Sequence, residues 1–403
     1  MPRKSPYTVV RLIATLILTL STGVVVPAAQ AALKTIYETQ KFTDPDGVSH
    51  DKFGGAVAIS GDLAIVGALY DDDKGSNSGS AYIYAFDGTS WNLQTKLTAS
   101  DAIPELRFGT SVAIAGNMAL IGAPWDSTLG SLTGTVYVFT FDGTTWTQQA
   151  KLFPSDPVPS SLFGESVALS GDTALVGAFL GGPGSAYVFK FDGTAWSEQA
   201  KLTAADGASG DYFGLSVSLS GNRALIGAYE AGIGGAAYVF SSDGTTWSQE
   251  AKLTGLDTRE GDSFGLAVSL AVDRALVGAP ARDQFRGAAY IFAFDGTSWS
   301  QQTKLKITGG MKYDNFGSSV ALSDTVALVG ANKFADPGLV YQYSLRQNIW
   351  TLKAQLLASD GVGGDYLGVS VALSGNTVLA GADHTFSSTD IGAAYIFSLG
   401  RQR

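Results

Sequence analysis

A Phe-Gly pair recurs at Phe53, Phe108, Phe163, Phe213, Phe264 and Phe316, and Leu367-Gly368 supplies a seventh copy. The intervals are 55, 55, 50, 51, 52 and 51 residues, and a Gly-Ala pair begins 14 residues after every anchor, from Gly67 and Gly122 to Gly381. A fixed period near 50 residues restricts the fold to arrays in which each unit covers its neighbours' apolar faces.

Each unit reads as four short strands. The first alternates large and small residues, as in Val57-Ala58-Ile59, and suits a crowded axis. A tight Ser-Gly-Asp/Asn turn leads to an apolar second strand such as Ala64–Ala68. The third resembles Ala81-Tyr82-Ile83-Tyr84, and the fourth runs from a tryptophan to Lys-Leu, as in Trp91 to Leu97. Asp-Gly-Thr-x-Trp-type turns starting at Asp87, Asp142, Asp192, Asp243 and Asp295 join the last two. Seven four-stranded units predict an all-β, seven-bladed β-propeller of antiparallel blades. Recurrent lysines at 96, 151, 201, 252 and 304 fit protection of the outer edges.

The seventh unit ends after Tyr395-Ile396-Phe397 with no fourth strand. Lys41-Phe42 aligns with Lys304-Leu305, so residues 34–42 are expected to supply that strand and close the ring.

The rest of the composition agrees with one ring. Glycine supplies 50 of 403 residues and charged residues only 15%. Cysteine is absent, which excludes disulfides, thiolate metal sites and a cysteine nucleophile. The net charge of −10 argues against nucleic acid as a partner. Arg3, Lys4 and Arg11 precede an apolar run from Leu12 to Val26 and Ala29-Gln30-Ala31, the order of a secretory signal cleaved after Ala31. Residues 1–31 are read as that signal and 32–403 as the propeller. The expected product is a monomer that is secreted, periplasmic or on the cell surface, with no later membrane span.

With Phe-Gly…Gly-Ala-Pro in view, the chain resembles the FG-GAP repeat family, the propeller of integrin α-subunit heads, over about residues 35–399. Proline completes the motif only at Pro124 and Pro280. The resemblance implies a seven-bladed propeller, and bacterial relatives that are secreted or surface proteins. Calcium loops carried by some integrin-type blades fall where this chain has only a short turn, so those sites do not carry over.

Successive antiparallel strands place the 1–2 and 3–4 turns on one face and the 2–3 and 4–1 connections on the other. The first face is uniform. The second varies, its 2–3 loop running to 11 residues at Leu69–Gly79 and 6 at Phe179–Gly184. Its non-repeated residues are the candidate binding set: Trp125, Asp126, Tyr229, Glu230, Arg282, Phe285, Arg286, Lys333, Phe334 and His384. Asp71, Asp72 and Asp73 are the weak metal candidate, for calcium; no cofactor is otherwise expected. Two rows of aspartates recur in the connections, seven residues before the anchor (Asp46, Asp101, Asp156, Asp206, Asp257, Asp360) and two before it (Asp51, Asp211, Asp262, Asp314, Asp365). Both are expected to bond backbone amides in turns.

The expected function is binding or adhesion to an extracellular protein or glycan through the variable face. The alternative is a hydrolase or lyase acting on an extracellular polysaccharide. Its only constellation is His50 and His384 with Asp51 and Asp383, which matches no catalytic spacing, and no catalytic residue is assigned.

Overall fold

The computed structural model describes residues 33–333, 336–383 and 391–400. The signal expected at residues 1–31 lies outside the described residues, as do Phe334 and His384. Seven antiparallel sheets form a ring, with the sequence's first strand innermost in each. Blade one comprises Phe53–Ser60, Leu63–Ala68, Ser80–Phe86 and Trp91–Leu97. The following blades repeat that order. One short turn at Arg282–Phe285 is the only helical element among the described residues, and Asp283, Gln284 and Phe285 in it have φ of 51°, 64° and 64°. Among the described residues no helix is long and apolar enough to cross a membrane.

Apolar cores lie between blades. Ile65 and Ile83 of blade one pack with Phe108, Ile121 and Tyr137 of blade two, all at most 1% exposed. The anchor phenylalanine is buried edge-on to its own blade's tyrosine, as in Phe108–Tyr137 at 5.3 Å.

The spacing of the motif follows from backbone contact between blades. A Cβ on Gly122, in the Gly-Ala pair of blade two, would lie 2.0 Å from the carbonyl oxygen of Gly164, in the Phe-Gly pair of blade three. The same approach repeats at every seam, closing with Gly381 against Gly54 at 1.9 Å. Only glycine fits there. A serine beside it latches the seam: Ser111, Ser166, Ser216, Ser319 and Ser370 donate to the carbonyl oxygen of the next blade's Phe-Gly glycine at 2.7–2.9 Å.

Ring closure differs in part from the sequence expectation. Gln40–Phe42 pairs antiparallel with Ala393–Ser398 and is the outer strand of blade seven. Residues 34–37 do not join it. Lys34–Tyr37 turns aside and pairs parallel with Ile349–Leu357, as a fifth strand on blade six. Blade six has Gln355 where the others carry lysine and Gly309 where they carry aspartate. Its edge is thus less protected, and Gln355 donates to Thr35 across the added strand at 3.1 Å.

The recurrent lysines are not free edge charges. Lys151 reaches Asp101 at 2.7 Å, and Tyr137 donates to the same carboxylate at 2.8 Å. Equivalent Lys–Asp–Tyr groups stand at Asp156, Asp206, Asp257 and Asp360. The first aspartate row therefore binds side chains, pinning each connection to the blade it enters. The second row meets the expectation: Asp51, Asp211, Asp262, Asp314 and Asp365 accept backbone N–H bonds at 2.7–2.8 Å.

Candidate functional site

Bridges such as Gly134 to Phe163 and Gly184 to Phe213 bring the 2–3 and 4–1 connections together on one face. The inner strands of all seven blades line an open, shallow cavity of about 310 Å3 at the end where those strands begin. Two residues after each anchor, its lining residues are Gly55, Thr110, Glu165, Leu215, Leu266, Ser318 and Val369. Glu165 is the one ionisable side chain among them. Enclosure raises its pKa, and the nearby Arg107 charge opposes the rise.

Each lining residue donates its backbone N–H to the carbonyl of the residue just before the anchor. That preceding residue forms the rim. Lys52, Arg107 and Leu162 occupy it in blades one to three, Tyr212 and Ser263 in four and five, Asn315 and Tyr366 in six and seven. All seven hold left-handed φ values between 50° and 60°. The conformation costs a non-glycine residue about 1–2 kcal/mol, and glycine or asparagine bears it most easily. The ring geometry imposes the backbone; it does not require lysine, arginine or tyrosine there.

Those side chains interleave with the first residues of the 2–3 loops. Lys52 lies over Tyr70 at 5.3 Å, Arg107 lies over Tyr70 at 5.1 Å and over Trp125 at 3.2 Å. The rungs continue in blades three and four, where Tyr212 packs with Phe179 at 5.8 Å and stacks on Tyr229 at 5.2 Å. All seven of these side chains are half-buried. Among the described residues no acceptor bonds the Arg107 guanidinium, and its Nε is buried without a partner. The Ser318 hydroxyl oxygen in the cavity wall is likewise buried and unpaired.

The expected binding residues divide. Trp125 and Tyr229 stand in the ladder. Glu230 and Arg286 are exposed, and Phe285, 45% exposed, stacks on Tyr313 at 5.7 Å. Asp126 and Arg282 are not surface residues: they are 1% and 4% exposed. Asp126 pairs with Lys151 at 2.7 Å, and Arg282 bonds Asp262 and Asp257. Lys333 reaches Asp314 at 3.4 Å. Sequence reasoning missed Lys52, Tyr70, Arg107, Phe179 and Tyr212. For Lys52, Arg107 and Tyr212 the available signal was the position before the anchor, which changes residue in almost every unit while the glycine after the anchor does not.

Asp71, Asp72 and Asp73 do not gather at one point: Asp71 and Asp73 both pair with Lys96, and Asp72 points elsewhere. Asp72 accepts from the Asn77 backbone at 2.7 Å, while Asp71 turns inward. There it meets Asp44 and Asp51, with one oxygen of each carboxylate within 4.8 Å of the others. The Tyr82 hydroxyl lies 2.6 Å from Asp44 and 2.9 Å from Asp71, with one hydrogen to share between them, and Lys96 pairs with Asp71 at 2.8 Å. Burial raises the pKa of Asp51 to about 6, helped by the Asp71 charge, and burial also raises that of Asp44. His50 is exposed in the connection entering blade one; its expected partner His384 lies outside the described residues.

A sequence model of the FG-GAP repeat matches seven segments: residues 37–84, 91–139, 146–189, 196–240, 247–292, 299–343 and 350–397. Six start at the outer strand's tryptophan, so the sequence unit is offset by one strand from the blade, and residues 40–42 fall in the first unit but in blade seven. The crystal structure of Saccharomyces cerevisiae Sqt1 superposes with a TM-score of 0.51, covering 91% of this chain and 100% of that one at 10% identity, a likeness of fold alone. No curated protein matches the chain.

Proposed function

The chain belongs to the FG-GAP repeat family, and from that premise we propose that it is an extracellular binding or adhesion module, not an enzyme, which holds a protein or glycan partner on its variable face. The observation that carries the reading is the rim ladder from Lys52 to Tyr229. Repeated residues are accounted for by the ring itself: anchors, seam glycines, seam serines and latches. The ladder is non-repeated, aromatic and cationic, the side-chain types that dominate binding surfaces, and three of its members, Lys52, Arg107 and Tyr212, are held in a left-handed backbone conformation that those side chains do not favour. The basic-then-apolar sequence of residues 1–31, read as a secretory signal, supports export to the periplasm, the medium or the cell surface, and the proposed acting form is the monomer.

Arrayed glycans and surface proteins probed with the purified protein test this reading. Binding that falls at least about tenfold in Trp125→Ala is expected, since buried interface aromatics carry ~2 kcal/mol or more. Cleavage of an arrayed polysaccharide, seen as new chain ends, would instead establish the hydrolase or lyase alternative.

A further inference from the structure

The rim carries two cations that the ring does not use. Among the described residues the blade-edge lysines and Arg282 end on carboxylates. Lys52 and Arg107 end on aromatic faces, sharing Tyr70, with Arg107 also near the Glu165 carboxyl but bonded to no acceptor among the described residues. Arg107 is fixed between Tyr70 and Trp125, so its planar fork is ordered before any ligand arrives. An ordered guanidinium with unused donors at the edge of a cavity matches a carboxylate or sulfate, which it can grip with two parallel bonds.

The surroundings narrow the ligand further. Half-buried Trp125 and Tyr70, which already hold the cations on their faces, leave apolar ring surface beside them. The cavity is lined by hydroxyls at Thr110 and Ser318, by apolar residues and by Glu165. The Ser318 oxygen lacks a partner, and Glu165, whose pKa burial raises and Arg107 opposes, adds a carboxyl to the wall. At about 310 Å3 the cavity is at the small end of ligand pockets, suited to one or two rings entering end-on. Flat hydrophobic faces, scattered hydroxyl partners and one anion grip are complementary to a sugar acid.

We propose, resting on the reading of the rim as the binding surface, that the channel mouth is a subsite for an acidic saccharide, its carboxylate or sulfate held by Arg107 with Lys52 and its ring against Trp125 and Tyr70.

Calorimetric titration of the purified protein tests this with trigalacturonate, its neutral counterpart trigalactose, a sulfated disaccharide, inorganic sulfate and an oligo-glutamate peptide. Trigalacturonate or the sulfated disaccharide should bind, weaken as salt is raised, and bind at least about tenfold more tightly than trigalactose. Arg107→Gln should remove that preference, and Lys52→Gln should reduce it by a smaller factor; the second variant decides if the first does not fold. Equal affinity for acidic and neutral sugars, preference for the peptide, binding of sulfate alone, no saccharide binding at all, or an indifferent Arg107→Gln would overturn the proposal. The two readings fail separately: if another partner binds and Trp125→Ala releases it while Arg107→Gln does not, the rim reading stands and the acidic-sugar subsite falls.

Discussion

Ser370 of blade seven donates its hydroxyl hydrogen to the carbonyl oxygen of Gly54 in blade one, 2.8 Å away, across the seam where the two ends of the chain meet. Ser166 makes the same 2.8 Å bond to Gly214 within the array. The closing seam thus has the geometry of an internal one. Ser370→Ala and Ser166→Ala should each cost about 1 kcal/mol in chemical unfolding, the net worth of one such bond. Adding a methyl at the glycine beside the latch is a different insult. Gly177→Ala puts a Cβ 1.9 Å from Gly214's carbonyl oxygen and should cost about 3 kcal/mol or more. Gly143→Ala, in an open turn with φ of 99° and nothing near the new methyl, should cost about 1–2 kcal/mol.

The two N-terminal strands should be separable. Phe42 is 2% exposed and stacks on Tyr84 at 3.9 Å, whereas Tyr37 is 56% exposed on the flank of blade six. A chain starting at Thr39 keeps blade seven complete and should fold to a closed ring by circular dichroism, although it bares the less protected edge of blade six. One starting at Thr43 leaves the Ala393–Ser398 edge unpaired and should form oligomers or aggregate. Phe42→Ala, in the intact chain, should cost about 3–5 kcal/mol.

The rim should trade stability for binding. Ser263 holds φ of 57° and has no part in the ladder, so Ser263→Gly should stabilise the fold by about 0.5–1 kcal/mol. Arg107→Gly relieves the same strain while deleting a ladder rung. Thermal unfolding should show little or no loss of stability in this variant, and binding at the rim should be lost.

Much of this was legible in the sequence because the ring writes its needs seven times. The Phe-Gly and Gly-Ala intervals report a backbone contact repeated at each seam, so blade number and strand order follow from spacing. Closure was half legible. Lys41-Phe42 aligns with Lys304-Leu305, but nothing in residues 34–42 marks the change of direction near Glu38 that sends Lys34–Tyr37 to blade six. The site was less legible. Trp125 and Tyr229 stand out as aromatic loop residues, whereas Arg107 and Tyr212 sit at a constant offset from the anchor and pass as part of the repeat. Asp126 and Arg282 misled for the opposite reason: a loop charge reads as solvated, and both are buried by partners distant in sequence, Lys151 and Asp262.

The carboxylates of blade one predict a pH dependence. Asp51 has its pKa raised by burial from 3.8 to about 6, with Asp71 adding to the shift. A raised carboxyl pKa means that the folded state holds the proton more tightly than the unfolded chain. Its contribution is fully present below about pH 4 and is lost as pH rises through about 6. The change is on the order of 2–3 kcal/mol. Asp51→Asn retains an acceptor for the Val48 N–H and removes the titration. The variant should therefore show a flatter melting-temperature profile between pH 4 and 7 than the parent.

The proposed binding surface is the variable-face rim and not the uniform face. Its direct measurement is the affinity of one array-identified ligand for two folded variants, Trp125→Ala on the rim and Ile349→Ser on the opposite turn, where Ile349 is 63% exposed. The first should weaken binding at least about tenfold and the second should leave it unchanged. Unchanged binding in Trp125→Ala with loss in Ile349→Ser would contradict the rim assignment.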